Sequence, residues 1–325
     1  MKEKGLARQS FFLCNINMLI RKVRPAERIQ TMENYVIYTD TSADVSKGFL
    51  ENNELFFVPM TYTLGEEECI CRGMEEDDLL KRFYDGQREG DLTHTSQITP
   101  QQYIDAFEKH LARGESVIYL SLSSGLTKTF DSVRIAKMDM DDKYPDAKIY
   151  PVDTLSATGG MGLLAELAVR NKKSGMSAAR NAEVLEEMSH RVCHIFMVED
   201  LMYLKRGGRI SAATAVVGTV MNIKPILVID EKGKLITVAK KRGEKLALRE
   251  LMTRYLGSRD TRYGKQVYIV HADAKERPAI LEEMLQRHDK EVDYTEMYLS
   301  PVIGAHTGPG MVAILFFGDR AKICE

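Results

Sequence analysis

Apolar and polar positions along the chain follow two rhythms. Short apolar runs bounded by turn-forming residues recur at 35–39, 117–122 and 148–152. Between them lie stretches whose apolar residues fall three and four apart, such as Leu80, Phe83 and Tyr84 within 77–89. The first pattern predicts buried strands, the second amphipathic helices, and their alternation predicts βαβ units. Further helices are predicted over 46–53, from Thr99-Pro100 onward, over 126–140 and over 161–172, with a second extended stretch over 55–64. Proline suits the first helical turn, where its missing N–H would have no partner anyway. These pieces predict a three-layer α/β domain over 34–175, its mostly parallel sheet covered on both faces.

The second half changes rhythm. Strands are predicted over 195–198, 225–229, 235–239, 266–270 and 311–317, with helices over 200–205, 245–256 and 277–288. Asp230-Glu231-Lys232-Gly233 is a turn-rich link suited to a hairpin between two of those strands. Strand pairs with helices between them predict an α+β domain over 176–325. Residues 1–33 differ from both halves. Lys2, Lys4, Arg8, Arg21, Lys22, Arg24 and Arg28 face only Glu3 and Glu27, and the apolar piece around Phe11-Phe12-Leu13 is broken by Asn15 and Asn17. No small-residue cleavage site follows a clean apolar core, so a secretory signal is a poor match. The expectation is a disordered basic leader, or translation assigned upstream of Met32.

Composition narrows the function classes. The 325 residues suit two domains, and 44% hydrophobic with 28% charged residues is ordinary for a globular chain. A formal net charge of −2 argues against a general nucleic-acid binder, which needs a basic surplus to neutralise phosphates. No stretch approaches the roughly 20 apolar residues of a membrane span. The five cysteines are odd in number and sparse, which fits a reducing cytoplasm better than a disulfide framework. Cys69 and Cys71 lack a second pair at zinc-site spacing, so no metal is expected. Cys193-His194 opens the apolar run Ile195-Phe196-Met197-Val198, which favours a buried structural thiol over a nucleophile.

The predicted first-half strands end alike. Asp40-Thr41-Ser42, Ser121-Leu122-Ser123-Ser124-Gly125 and Asp153-Thr154-Leu155-Ser156 each precede a helix, and His94-Thr95-Ser96-Gln97 leads into another. In open parallel sheets these carboxyl ends border the ligand crevice. Each hydroxyl could be a simple helix cap. Several loops converging on one edge, with helix N-termini behind them, also make a site for a small anion. No G-x-x-x-x-G-K-[ST] or G-x-G-x-x-G nucleotide motif is present, and no G-x-S-x-G elbow surrounds Ser124. Two cationic stretches could complete an anion site: Lys205-Arg206-Gly207-Gly208-Arg209 and Lys240-Lys241-Arg242. His306 sits among Gly304, Gly308, Pro309 and Gly310, a setting expected to be a loop at a ligand rather than an apolar face.

Taken in order, seven stretches resemble the DegV family from about Asn34 to the C-terminus. They are Thr39-Asp40-Thr41-Ser42-Ala43-Asp44, Thr95-Ser96-Gln97-Ile98-Thr99-Pro100 and Leu122-Ser123-Ser124-Gly125-Leu126. Val152-Asp153-Thr154, Leu204-Lys205-Arg206-Gly207-Gly208-Arg209-Ile210, Asn222-Ile223-Lys224-Pro225-Ile226-Leu227 and His306-Thr307-Gly308-Pro309-Gly310 complete the set. The resemblance implies a two-domain fold with a long-chain fatty acid in a tunnel between the domains. It implies a non-catalytic, lipid-binding subunit of a bacterial fatty acid kinase, with no cofactor beyond the bound acid. A separate catalytic subunit would bring ATP and Mg²⁺, and the acyl phosphate would enter phospholipid synthesis. Carried over by position, Thr95, Ser96, Ser123 and Ser124 would hold the carboxylate, Arg242 and His306 would form a charged pair near it, and Arg209 would face the kinase.

The chain departs from the family pattern at Thr41-Ser42-Ala43, at Gln97-Ile98 and at Thr127-Lys128-Thr129, the last placing a lysine near the pocket mouth. Burying about 15 methylenes at roughly 0.8 kcal/mol each supplies on the order of 12 kcal/mol, much of it consumed by association and ordering. Two other readings stand beside the carrier: a serine hydrolase on acyl esters with Ser124 as nucleophile and His306 as base, and a lipid-sensing interaction protein with no kinase role.

Overall fold

The computed structural model describes residues 34–211, 222–274 and 276–325; the expected basic leader lies outside the described residues. The first half runs β1 (Tyr35–Asp40), α1 (Lys47–Leu50), β2 (Phe56–Val58), β3 (Thr61–Leu64), β4 (Glu67–Ile70), α2 (Asp77–Glu89), α3 (Pro100–Leu111), β5 (Ser116–Ser121), α4 (Thr129–Lys143), β6 (Ile149–Asp153), α5 (Thr158–Lys173) and α6 (Ala178–Ser189). Strands order as β2-β1-β5-β6 and every pairing is parallel. β1 and β5 are buried at every position, as expected of central strands with helices on both faces. The extended stretch 55–64 is divided: β2 joins the sheet, while β3 turns away and pairs antiparallel with β4. α3 starts where its proline predicted, with Thr99 and Gln102 forming a reciprocal capping box.

The second half runs β7 (Val192–Met197), α7 (Leu201–Arg206), β8 (Ile223–Ile229), β9 (Leu235–Arg242), α8 (Glu244–Ser258), β10 (Gln266–His271), α9 (Glu276–His288), β11 (Asp293–Tyr298), α10 (Pro301–Thr307), β12 (Val312–Phe317) and α11 (Arg320–Cys324). Its strands order as β11-β10-β12-β7-β8-β9 in a mixed sheet, parallel only between β10 and β11. Side chains alternate between the two faces with the period of a strand. Cys193, Ile195, Met197, Val312, Ile314 and Phe316 form a core that takes in Leu248, Leu251 and Leu281 of α8 and α9. Val192, Phe196, Ala313, Leu315 and Phe317 turn the other way and join one core with the first sheet. The two sheets are thus bound through a shared apolar layer, and the site lies in that layer. Among the described residues no helix is long and apolar enough to cross a membrane.

Candidate functional site

Between the sheets lies a cavity of about 350 Å³, within the range of small-molecule pockets. One half of its wall comes from strand-end loops of the first sheet, including Met60, Leu122, Leu126 and Ala157. The other half comes from Phe196, Ala313 and Leu315 of the second sheet, Ile229 and Leu235 beside the hairpin turn, and Val302 and Ile303 of α10. The cavity's polar lining includes Thr95, Ser96, Gln97, Lys128, Arg209 and His306, and of these Thr95, Arg209 and His306 lie together.

Thr95 and His306 lie 211 positions apart, and two contacts hold their segments side by side. The loop after α2 runs beside α10, with the Thr93 hydroxyl on the Ala305 carbonyl (3.1 Å) and the Gln87 amide on the Gly304 carbonyl (3.1 Å). Thr95 Oγ1 and His306 Nε2 then meet at 2.9 Å. His306 is therefore on a short helix started by Pro301, not in the expected loop. Its other ring nitrogen, Nδ1, is buried with no hydrogen-bond partner among the described residues. That nitrogen lies against Gly207, where a Cβ would fall 2.3 Å from it. Gly207 has ordinary helical dihedrals, so it is space and not backbone freedom that requires glycine there. Burial first, then the nearby Arg209 guanidinium and His94, pulls the His306 pKa down to about 3, so the imidazole is neutral.

Arg209 follows α7 in a tight turn. The Gly207 and Arg209 N–H groups close back on the Tyr203 (3.0 Å) and Leu204 (2.8 Å) carbonyls, and Gly208 takes a positive φ of 71°. Tyr203 anchors this turn by donating its hydroxyl to the Gln87 carbonyl (3.0 Å). The guanidinium donates to the Gly207 carbonyl and meets no carboxylate among the described residues. Burial lowers its pKa, the mark of a cation taken partly out of water. A half-buried guanidinium without a counter-ion, beside a neutral imidazole, is a place for an anion.

The hydroxyls at the other strand ends are engaged within the protein. Asp40 accepts from the Ser42 N–H (3.0 Å) and hydroxyl, from the Tyr119 hydroxyl (2.7 Å) and from the Leu122 N–H (3.2 Å). Thr154 donates to the Ser121 carbonyl (2.7 Å). Ser123 is fully buried; its hydroxyl donates to the Gly233 carbonyl (2.8 Å) and accepts from the Gly125 N–H (3.1 Å). The Ser-Ser-Gly turn is thereby clamped onto the β8–β9 hairpin turn. Gly233 needs its positive φ of 72° there, and a Cβ on it would fall 2.1 Å from the Ser123 hydroxyl. Ser124 is exposed, its backbone N–H held by Asp153 (3.1 Å), and it does not line the cavity. Arg242 ends β9 exposed and outside the cavity wall, opposite Ile223. His306 thus pairs with Thr95 and lies near Arg209, not Arg242, and Arg209 borders the cavity.

Two wall features were not read from the chain. His194 lines the cavity; its Nε2 lies 3.1 Å from the Ala157 carbonyl, and burial lowers its pKa to about 3. Alternation along β7 carries the signal, since His194 shares a face with Val192 and Phe196. Its neighbour Cys193 is buried with its thiol pushed up to about 12, an inert packing group as expected. Behind Thr158, Asp44 bonds that hydroxyl and the Ser300 N–H (3.0 Å), and burial raises its pKa to about 7.

Comparison with known proteins gives one consistent result. The model described as uncharacterised protein, DegV family, matches residues 34–319. A DegV domain-containing protein of Clostridium perfringens is 36% identical over 292 residues, covering 90% of this chain and 100% of its own. A DegV lipid-binding protein from Thermotoga maritima superposes with a TM-score of 0.75 at 26% identity, over 88% of this chain and 99% of its own. DegV from Bacillus subtilis, a fatty acid binding protein, superposes with a TM-score of 0.72 at 28% identity, over 87% of this chain and 98% of its own.

Proposed function

The chain belongs to the DegV family, and on that premise we propose that it holds a long-chain fatty acid between its sheets and presents the carboxylate to a separate kinase subunit. One observation carries the reading: an apolar cavity has at its polar part a guanidinium that no carboxylate among the described residues neutralises. The acyl chain lies along Phe196, Ala313, Leu315 and Ile229. The carboxylate sits at Arg209 and the Thr95–His306 pair, with Ser96 at the rim. Ser123 acts through the hairpin it clamps, Ser124 lies at the exposed edge, and Arg242 lies outside the carboxylate site. In the transfer, a carboxylate oxygen forms the new bond to the γ-phosphorus of ATP brought by the kinase, and the bond from that phosphorus to the ADP oxygen breaks.

Two observations favour the carrier over a hydrolase with Ser124 as nucleophile and His306 as base: His306 Nε2 is engaged by Thr95, and Ser124 is exposed and does not line the cavity.

Gentle isolation followed by native mass spectrometry should show a bound long-chain acid in the wild type, and a clean apo mass would refute the reading. Arg209→Ala removes a charge-assisted contact of about 1.5–3 kcal/mol and should weaken palmitate binding roughly 10- to 150-fold. An unchanged affinity would move the head group elsewhere. Reconstitution with a fatty acid kinase catalytic subunit, ATP and palmitate tests the kinase half. Acid bound without acyl phosphate formed would leave a lipid-sensing protein.

The carboxylate also has an electrostatic signature. His306 is held at about 3 by burial and by Arg209. A bound anion offsets Arg209, so palmitate should raise the His306 pKa, read from its ring-proton shift by NMR against pH. The sign for stability follows from the lowered value. The neutral ring costs nothing above the ordinary 6.5, and stability is lost as pH falls below 6.5 towards 3. Palmitate should shrink that loss.

A further inference from the structure

Beyond the Thr95–His306 pair lies a second chamber of about 150 Å³. It shares Thr95, Arg209 and His306 with the acyl cavity, so the two meet at these three residues. Its remaining polar lining includes His94, Thr93 and Arg206, and among the described residues no aspartate or glutamate borders it. Arg206 stacks its guanidinium over the Tyr203 ring at 4.5 Å and, like Arg209, forms no ion pair among the described residues. A water occupies about 30 Å³ of liquid, so the chamber has room for a group of a few heavy atoms and none for an acyl chain.

We propose that this chamber is the seat of the phosphoryl group of an acyl phosphate, with Arg206 and Arg209 as its two cations. The inference rests on the fatty acid reading and deepens it, by making the product as well as the substrate a ligand of this chain. A carboxylate carries one charge and is matched by Arg209 alone. A phosphoryl group carries close to two and offers three oxygens, which suits two guanidiniums whose donors lie in planes. It also extends past the former carboxylate by one phosphorus and its oxygens, in the direction from the acyl cavity into the chamber. Arg209 stays with the head group through the conversion, and Arg206 is engaged only by the product. Tyr203 holds Arg206 in place from one face, so little side-chain freedom is lost on binding.

The test compares palmitate with a non-hydrolysable mimic of its acyl phosphate, the corresponding 2-oxoalkylphosphonate, by calorimetry on the full chain. Wild type should bind the phosphonate at least 10-fold more tightly than palmitate. Arg206→Ala should erase that advantage while leaving palmitate within twofold of wild type. Arg206 is exposed, so the variant should fold; Arg206→Lys, keeping the charge without the planar fork, should recover part of the advantage. Inorganic phosphate is the control for a site that takes any free anion. Equal phosphate affinity in wild type and Arg206→Ala, or a phosphonate advantage that survives Arg206→Ala, would overturn the proposal. Palmitate bound without any phosphonate preference would sink this inference alone, whereas failure of both ligands would sink the fatty acid reading with it.

Discussion

Ala313→Phe should empty the cavity of lipid while leaving the protein folded. Ala313 is buried on β12, a central strand, between Phe196 of β7 and Val270 of β10 in register. Its methyl faces the cavity. A phenyl ring there fills space the acyl chain would use, so overpacking strain is small compared with the same change in a closed core. Displacing four or five methylenes forfeits about 3–4 kcal/mol of burial, on the order of 10²- to 10³-fold in affinity. Native mass spectra of the variant should lose the long-chain acid, and titration should show shorter acids retained better than long ones. Retention of the same acid at wild-type affinity would place the acyl chain somewhere other than between the sheets.

That such a cavity exists was readable only in part from the chain. The parallel sheet was legible because β1 and β5 are buried on both faces and read as unbroken apolar runs. The hairpin was legible because Asp230 to Gly233 carries its own turn chemistry, and Asp230 accepts from the Lys232 (2.9 Å) and Lys234 (2.8 Å) N–H groups. α10 was not legible. It is seven residues long and contains Gly304, so its sequence carries loop residues, and it is held by packing on α2 and α7 rather than by propensity. β11 was hidden for another reason: its exposed residues Asp293 and Glu296 break the apolar run, and its pairing with β10 supplies the strand.

The site was legible as a set of residues and not as an arrangement. Thr95 and His306 were singled out from their loops, and they do meet. The hydroxyls of Ser42, Ser121, Ser123 and Thr154 looked equally available, because a sequence does not say where a donor is spent. In the structure Ser123 and Thr154 stitch one segment to another, while Ser42 and Ser121 turn back onto their own loops, so the polar groups around the His306 end of the wall come instead from the α2–α3 loop, the turn after α7 and α10. The cation beside His306 illustrates the same limit. Both Arg209 and Arg242 end a basic run, but only a turn closed on Tyr203 and Leu204 brings one of them to the cavity.

Arg320→Met should destabilise the whole fold more than any change at the cavity. Arg320 looks like part of a charged C-terminal tail, yet it is only 2% exposed. Its guanidinium donates to the carbonyls of Val192 (2.6 and 2.8 Å), Ser189 (2.8 Å), Leu155 (3.1 Å) and Asp230 (3.4 Å). Those carbonyls belong to the start of β7, the end of α6, the β6–α5 loop and the hairpin turn, so one side chain ties both sheets at the back of the site. No carboxylate among the described residues pairs with it, and burial lowers its pKa. Methionine matches much of the volume but orphans several buried acceptors, at about 1–3 kcal/mol apiece. A loss of at least about 3 kcal/mol should lower the melting temperature by roughly 5 °C or more in thermal denaturation followed by circular dichroism. Lysine should rescue little, because a single ammonium cannot reach carbonyls spread around a planar fork. Palmitate affinity should fall as well, since Ile229 beside the hairpin turn is part of the cavity wall. Wild-type melting in Arg320→Met would mean that the four segments are held by their apolar contacts alone.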